Sequence, residues 1–117
     1  MGTVYLSDAF SPNMLVKFPV KIIFDKLNKE EFCEKLHIYS QTGDLKVAIG
    51  RESSARIINV LCGSQFQKNK SKIILTDNSR MLIILTRFKI DESKPLSDEK
   101  VREMYKKGEI ELYEAFL

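Results

Sequence analysis

The sequence predicts an α/β domain, a five-stranded mixed β-sheet flanked by helices. Three observations carry this reading. Short runs of alternating or continuous apolar residues recur along the chain. Segments of helical spacing lie between them, opened by helix-capping residues at Asn28 and Ser97 and closed by glycine at Gly63 and Gly108. Strands and helices therefore interleave, with at least one hairpin, which suits a mixed sheet with helices on its faces.

The elements follow in order. Residues 3–7 read as a strand, and Asp8 to Pro12 as a polar break. Residues 18–25 alternate well enough for a second strand, with Pro19 near its start, where a ladder tolerates it. Asn28-Lys-Glu-Glu31 is a helix start: Asn28 can accept from a free backbone N–H, and Glu31 can reach back to the Asn28 N–H. Phe32, Cys33 and Leu36 form its apolar stripe. Residues 36–40 and 44–49 resemble a hairpin around Gln41-Thr-Gly-Asp44. Residues 51–62 read as a helix, with Ala55, Ile58, Leu61 and Cys62 at helical spacing and Gly63 as its stop. Strands are expected at 71–76 and 80–88, joined by a turn at Asp77-Asn-Ser-Arg80. A third helix starts at Ser97, with a staple between Leu96 and Val101, and stops at Gly108. Residues 109–116 form a last strand. An apolar strand at the chain end suggests a sheet edge that a second copy could cover.

Composition narrows the function classes. The 117 residues fit one domain, 1–117, large enough to bury a core without a metal or disulfides. Apolar content of 44% and charged content of 30% exclude a disordered chain. The longest apolar runs, such as 81–85, are far too short to span a bilayer, and no secretory signal is expected. Gly2 invites myristoylation, but Leu6 stands where that motif wants Ser or Thr. Cys33 and Cys62 read as buried free thiols on the apolar sides of two helices. With one His and no CxxC, no structural zinc site is expected, and no cofactor is implied. The net charge of +3 permits an anionic partner but lacks the dense basic stripe of a duplex-DNA coat.

Candidate chemistry is sparse. His37 is placed in a strand and reads as structural. Ala48-Ile-Gly-Arg-Glu-Ser-Ser54 combines a strand, a Gly turn and a helix start. Free N–H groups there favour phosphate, and Arg51, Ser53 and Ser54 would add donors. Gln65 to Lys70 is a polar, basic loop with one aromatic, and Lys89, Asp91 and Glu92 follow a strand exit. Asp8, Ser11 and Asn13 form a polar loop after the first strand. All of these sit at loops and helix starts around one sheet, where binding sites gather.

Four stretches carry a resemblance. They are Val4-Tyr-Leu-Ser-Asp-Ala-Phe-Ser-Pro-Asn-Met-Leu15, Ala48-Ile-Gly-Arg-Glu-Ser-Ser54, Leu61-Cys-Gly-Ser-Gln-Phe-Gln-Lys-Asn-Lys70 and Leu112-Tyr-Glu-Ala-Phe116. In this order, over nearly the whole chain, they resemble the viral anti-CRISPR ring nucleases of viruses that infect hyperthermophilic archaea. The resemblance implies a two-fold homodimer acting in the host cytoplasm, with a pocket for cyclic tetra-adenylate across the dimer interface. That molecule is the second messenger of type III CRISPR defence. Active members of the family cut it to di-adenylate without metal: a ribose 2′-hydroxyl attacks the neighbouring phosphate, a His at the helix start protonates the leaving oxygen, and a Glu assists.

The departures from that pattern bear directly on function. The family's His is Arg51 here, and a guanidinium stays protonated, so it is a poor proton donor. The family's Glu matches Glu92, and two of its arginines match Lys70 and Lys89, which keep charge but lose the bidentate fork. Its Asn before Ala-Phe-Ser is Asp8, which would repel a phosphate if unpaired and would leave binding possible if paired with Lys70, Lys89 or Arg51. Ser11, Asn13 and Asn69 match the pattern. The implied ligand contacts are thus Ser11, Asn13, Arg51, Ser53, Ser54, Asn69, Lys70 and Lys89, with Glu92 as the remaining catalytic group. Three readings follow. The chain captures cyclic tetra-adenylate with little or no cleavage, or it is an active metal-independent ring nuclease using Glu92, Lys89 or His37, or it is a repurposed dimer with no nucleotide ligand.

Overall fold

The computed structural model describes residues 3–117. Met1 and Gly2, on which the acylation reading falls, lie outside the described residues. The chain runs β1 (Val4–Ser7), a single 3-10 turn (Pro12–Met14), β2 (Ile23–Leu27), α1 (Lys29–Thr42), β3 (Leu45–Ala48), α2 (Glu52–Cys62), β4 (Arg80–Thr86), α3 (Asp98–Lys106) and β5 (Ile110–Phe116). The five strands form one sheet in the order β2-β5-β4-β1-β3. β1 lies parallel to both β3 and β4, with Leu6 beside Val47 and Leu82. β5 lies antiparallel to β4 and β2, so the sheet is mixed, as expected.

The helix starts follow from local chemistry. Asn28 Oδ1 accepts from the Glu31 N–H while Glu31 Oε1 accepts from the Asn28 N–H, the reciprocal box that the sequence predicts. Ser97 accepts from the Lys100 N–H, and Leu96 and Val101 share one apolar cluster. Gly63 ends α2 at φ 63°, in the left-handed region that favours glycine.

Three expectations about the elements are corrected. Residues 36–40 are not a strand but the second half of α1, which runs on to Thr42. Phe32, Leu36 and Tyr39 continue one stripe against the core, and this outweighs the strand preference of Ile38 and Tyr39. β3 therefore has no hairpin partner and pairs with β1. Residues 71–76 form no strand; they make one isolated bridge, Leu15 with Leu75. Their alternation is nonetheless real, because Ile73 and Leu75 are buried while Lys72 and Ile74 are exposed. Finally, β2 begins at Ile23 rather than at 18.

The layers also differ from the expectation. All three helices pack on one face, where Val4, Leu6, Leu82, Ile84 and Leu112 meet Phe32, Leu36, Ile57, Ile58 and Val101. The other face holds Tyr5, Ala48, Met81, Ile83 and Ala115, and it is covered by Phe10, Met14, Leu15, Ile73 and Leu75 from the intervening segments. β5 is an interior strand, not an edge; the edges are β2 and β3. β2 is the exposed one, with Ile23 63% accessible, and Phe24 meets Phe10 edge to face.

The two cysteines are not free. Cys33 on α1 and Cys62 at the end of α2 form a disulfide, with Cα atoms 5.2 Å apart. α1 and α2 lie side by side on the same face, which brings the pair within the usual span of such a bond. Among the described residues, no helix is long and apolar enough to cross a membrane.

Candidate functional site

β1, β3 and β4 run in one direction, so the segments that follow them emerge at one end of the sheet. Ligands of open α/β sheets bind at this end. It carries Asp8 to Asn13, the elbow Ile49-Gly50-Arg51 and the segment from Arg87 to Ser93. Most of the sequence-predicted site residues therefore come to one edge.

The elbow into α2 is built by Asp8. Its carboxylate, 6% exposed, accepts from the Gly50 N–H (3.1 Å), the Arg51 N–H (3.1 Å) and Arg51 Nε (3.4 Å). Arg51 also donates from a terminal guanidinium nitrogen to the Asp8 carbonyl at 3.3 Å. Arg51 is thereby a fixed cation at the N-cap of α2, with its side chain 44% exposed. The expected repulsion between Asp8 and an anion is thus countered by an ion pair within the protein.

A second carboxylate serves the first turn of α2. Glu92 accepts from the Ser53 N–H at 3.0 Å and from Ser53 Oγ at 2.5 Å. A negative group at a helix N-terminus is stabilised by the unpaired N–H groups and the dipole. This corrects the expectation for that helix start. The N–H groups of Gly50, Arg51 and Ser53 are already bonded to Asp8 and Glu92, so they do not present an empty phosphate cradle. Ser53 and Ser54 are both buried, which removes them as outward donors.

The other predicted residues divide. Asn69 donates its backbone N–H to the Ile49 carbonyl at 2.9 Å and its side-chain amide to the Val47 carbonyl at 2.8 Å. It thus braces the outer edge of β3 and sets Lys70 at the same end of the sheet. Asn13 and Lys70 are exposed there, while Ser11 caps the 3-10 turn by accepting from the Asn13 N–H. Lys89 lines a different depression with Phe88, Lys94 and Lys100, beside α3. His37 stands exposed in the second half of α1, towards the end where the parallel strands begin, so no imidazole approaches Arg51.

The residue whose part the sequence leaves open is Asp8. Only the three-dimensional pairing with Gly50 and Arg51, 42 and 43 residues away, reveals it as a clamp. The Glu92–Ser53 pair spans 39 residues and carries no local signal either.

Comparisons with known proteins agree on kinship. The uncharacterised protein ORF116 of Acidianus filamentous virus 1 is 30% identical over 115 residues, covering 98% of this chain and 95% of its own. Among solved structures, B116 of Sulfolobus turreted icosahedral virus superposes with a TM-score of 0.91 at 41% identity, over 99% of this chain and 100% of its own. Both relatives are proteins of archaeal viruses. The family model described as STIV B116-like matches residues 4–112, and the chain belongs to that family.

Proposed function

We propose that this protein binds cyclic tetra-adenylate as a two-fold homodimer in the host cytoplasm, and captures it with little or no cleavage. The observation that carries this reading is the Asp8–Arg51 clamp at the start of α2. It puts a permanently charged, partly exposed guanidinium where the resembling nucleases hold their proton donor. The edge keeps cationic and polar side chains for a ring of phosphates, with Arg51 and Lys70 for charge and Ser11 and Asn13 for orientation. It offers no imidazole. Loss of general acid help typically costs about 10²–10⁴-fold in rate.

The dimer reading draws support from the site and the surface. In a single chain Asn13, Arg51 and Lys70 lie on open surface, so a ring of four nucleotides needs walls from a second copy. Val16, Phe18, Ile23 and Phe24 are also exposed apolar side chains, and Phe18 is 64% accessible.

The test mixes purified protein with radiolabelled cyclic tetra-adenylate and follows binding by gel shift and products by thin-layer chromatography. Capture predicts a shift with the ring intact. Di-adenylate at many turnovers would sink the reading and point to Glu92 as an active group. No shift at micromolar protein would mean that the edge serves another partner.

A further inference from the structure

At the end of the sheet opposite Arg51, β1 and β4 begin and β5 ends, so Arg80 stands between Val4 and Phe116. A cleft of about 620 Å³ opens there, lined by Val4, Ile38, Tyr39, Asp44, Asp77 and Arg80. Small-molecule sites span about 300–1,000 Å³. We propose that this cleft binds a small zwitterion, an α-amino acid free or in a short peptide, with its carboxylate on Arg80, its ammonium facing Asp44 and Asp77, and its apolar body on Ile38. The cleft lies away from the Arg51 edge, and the inference does not rest on the capture reading.

The cation of the cleft is fixed by a relay. Glu114, fully buried on β5, accepts the Tyr39 hydroxyl proton at 2.7 Å. The Tyr39 oxygen is left as an acceptor and takes a bond from a terminal nitrogen of Arg80 at 3.0 Å. The guanidinium carbon lies 5.1 Å from the centre of the Phe116 ring, within the reach of a cation on an aromatic face. These contacts hold an exposed guanidinium and use a single N–H of its fork. Among the described residues, the rest of its N–H groups meet no acceptor. A planar fork held in this way matches a carboxylate with two parallel bonds. The opposite charge is also unspent. Among the described residues, neither Asp44 nor Asp77 stands in an ion pair. α1 ends beside Asp44 at Gly43 with no basic residue in its last turn, so the negative end of its dipole has no counter-charge of its own. A phosphate dianion on Arg80 would meet these carboxylates as repulsion, whereas a carboxylate that brings its own ammonium turns them into partners. Ile38, 47% exposed on α1, and the buried Val4 supply the apolar wall.

The experiment titrates isotope-labelled protein with leucine, leucinamide, N-acetyl-leucine and inorganic phosphate, and follows the backbone amides by NMR. Leucine is expected to shift the amides of residues 38–44 and 77–80 and to saturate with a Kd of about 1 mM or tighter. Leucinamide, which lacks the carboxylate, and N-acetyl-leucine, which lacks the ammonium, should each bind about tenfold more weakly or worse, as the loss of a charge-assisted bond requires. Arg80→Gln should abolish the preference for leucine over leucinamide, and Asp44→Asn/Asp77→Asn the preference over N-acetyl-leucine, each leaving the other in place. Tyr39→Phe should narrow the first preference alone, because Tyr39 is a positioning residue that acts through Arg80. Leucyl-leucine in place of leucine tells a short peptide from a free amino acid, by the tighter of the two. No saturable shift at about 10 mM of leucine or of leucyl-leucine overturns the proposal. So do shifts confined to other parts of the chain, phosphate binding there more tightly than leucine, or an unchanged preference in Arg80→Gln. Equal binding of the three leucine compounds by the wild type also overturns it, and that comparison decides even where a variant fails to fold.

Discussion

Opening the Cys33–Cys62 bond should cost this domain a large part of its stability. The bond joins residues 29 apart and ties the first half of α1 to the last turn of α2. In the chain-entropy account, a closed loop of this length removes about 12 cal/mol/K from the unfolded chain, or about 3.6 kcal/mol at room temperature. Unfolding entropy is about 2.1 cal/mol/K per residue, so a chain of 117 residues has about 0.25 kcal/mol/K at the midpoint. The expected fall in Tm is therefore about 15 °C. Both sulfurs belong to partly exposed residues, so a thiol reductant reaches them. The assay is thermal melting by circular dichroism for the wild type and for Cys33→Ser/Cys62→Ser, each with and without reductant. Reductant should lower the wild type to the level of the double variant and leave the variant unmoved. A double variant melting within about 3 °C of the oxidised wild type would refute the loop argument.

Two further outcomes follow from the core. Ile57 on α2 is fully buried in the helix-face cluster, and Ile57→Ala should lower stability by about 2–5 kcal/mol in urea unfolding. At the other end of the sheet, the buried Glu114 accepts from the Tyr39 hydroxyl at 2.7 Å, with Lys35 Nζ 2.9 Å from its other oxygen, though off hydrogen-bond alignment. Burial, then the bond to Glu114, holds the Tyr39 hydroxyl above its ordinary value, and the Glu114 carboxylate beside it raises the Lys35 ammonium. In both cases the unfolded state loses its proton first, so stability is fully present below about pH 10 and falls as pH rises through the folded values. The urea midpoint should therefore drop above about pH 10, and less steeply in Tyr39→Phe.

The parts of the fold that were legible are those fixed within a few residues. The Asn28–Glu31 box, the Ser97 cap and the Gly63 stop each depend on atoms within one helical turn, and each stands where the sequence puts it. What failed was fixed by distant packing. Ile38 and Tyr39 favour strands intrinsically, but Tyr39 reaches Glu114 on β5 and keeps the helix going. Residues 71–76 alternate because one side of an extended segment covers the second sheet face, which is the pattern of a half-buried strand without a neighbour. The disulfide needed the α1–α2 packing before its two cysteines, far apart in the chain, could be seen as a pair.

The same distinction explains the site. A strand, a glycine and a polar helix start suggest free N–H groups, and free N–H groups suggest phosphate. That inference holds only while nothing else in the protein supplies the anion. Here Asp8 and Glu92 arrive from two other strand ends and satisfy the N–H groups of Gly50, Arg51 and Ser53. The helix start is thereby a rigid mount rather than a ligand cradle, and the burden of binding an anion passes to side chains. A mount that includes the buried Asp8 carboxylate tolerates a guanidinium beside it, because that cation offsets the desolvated charge of Asp8. On the capture reading, Arg51 would therefore serve stability and ligand charge at once. Replacing it with a neutral residue should harm folding and, on the capture reading, binding together.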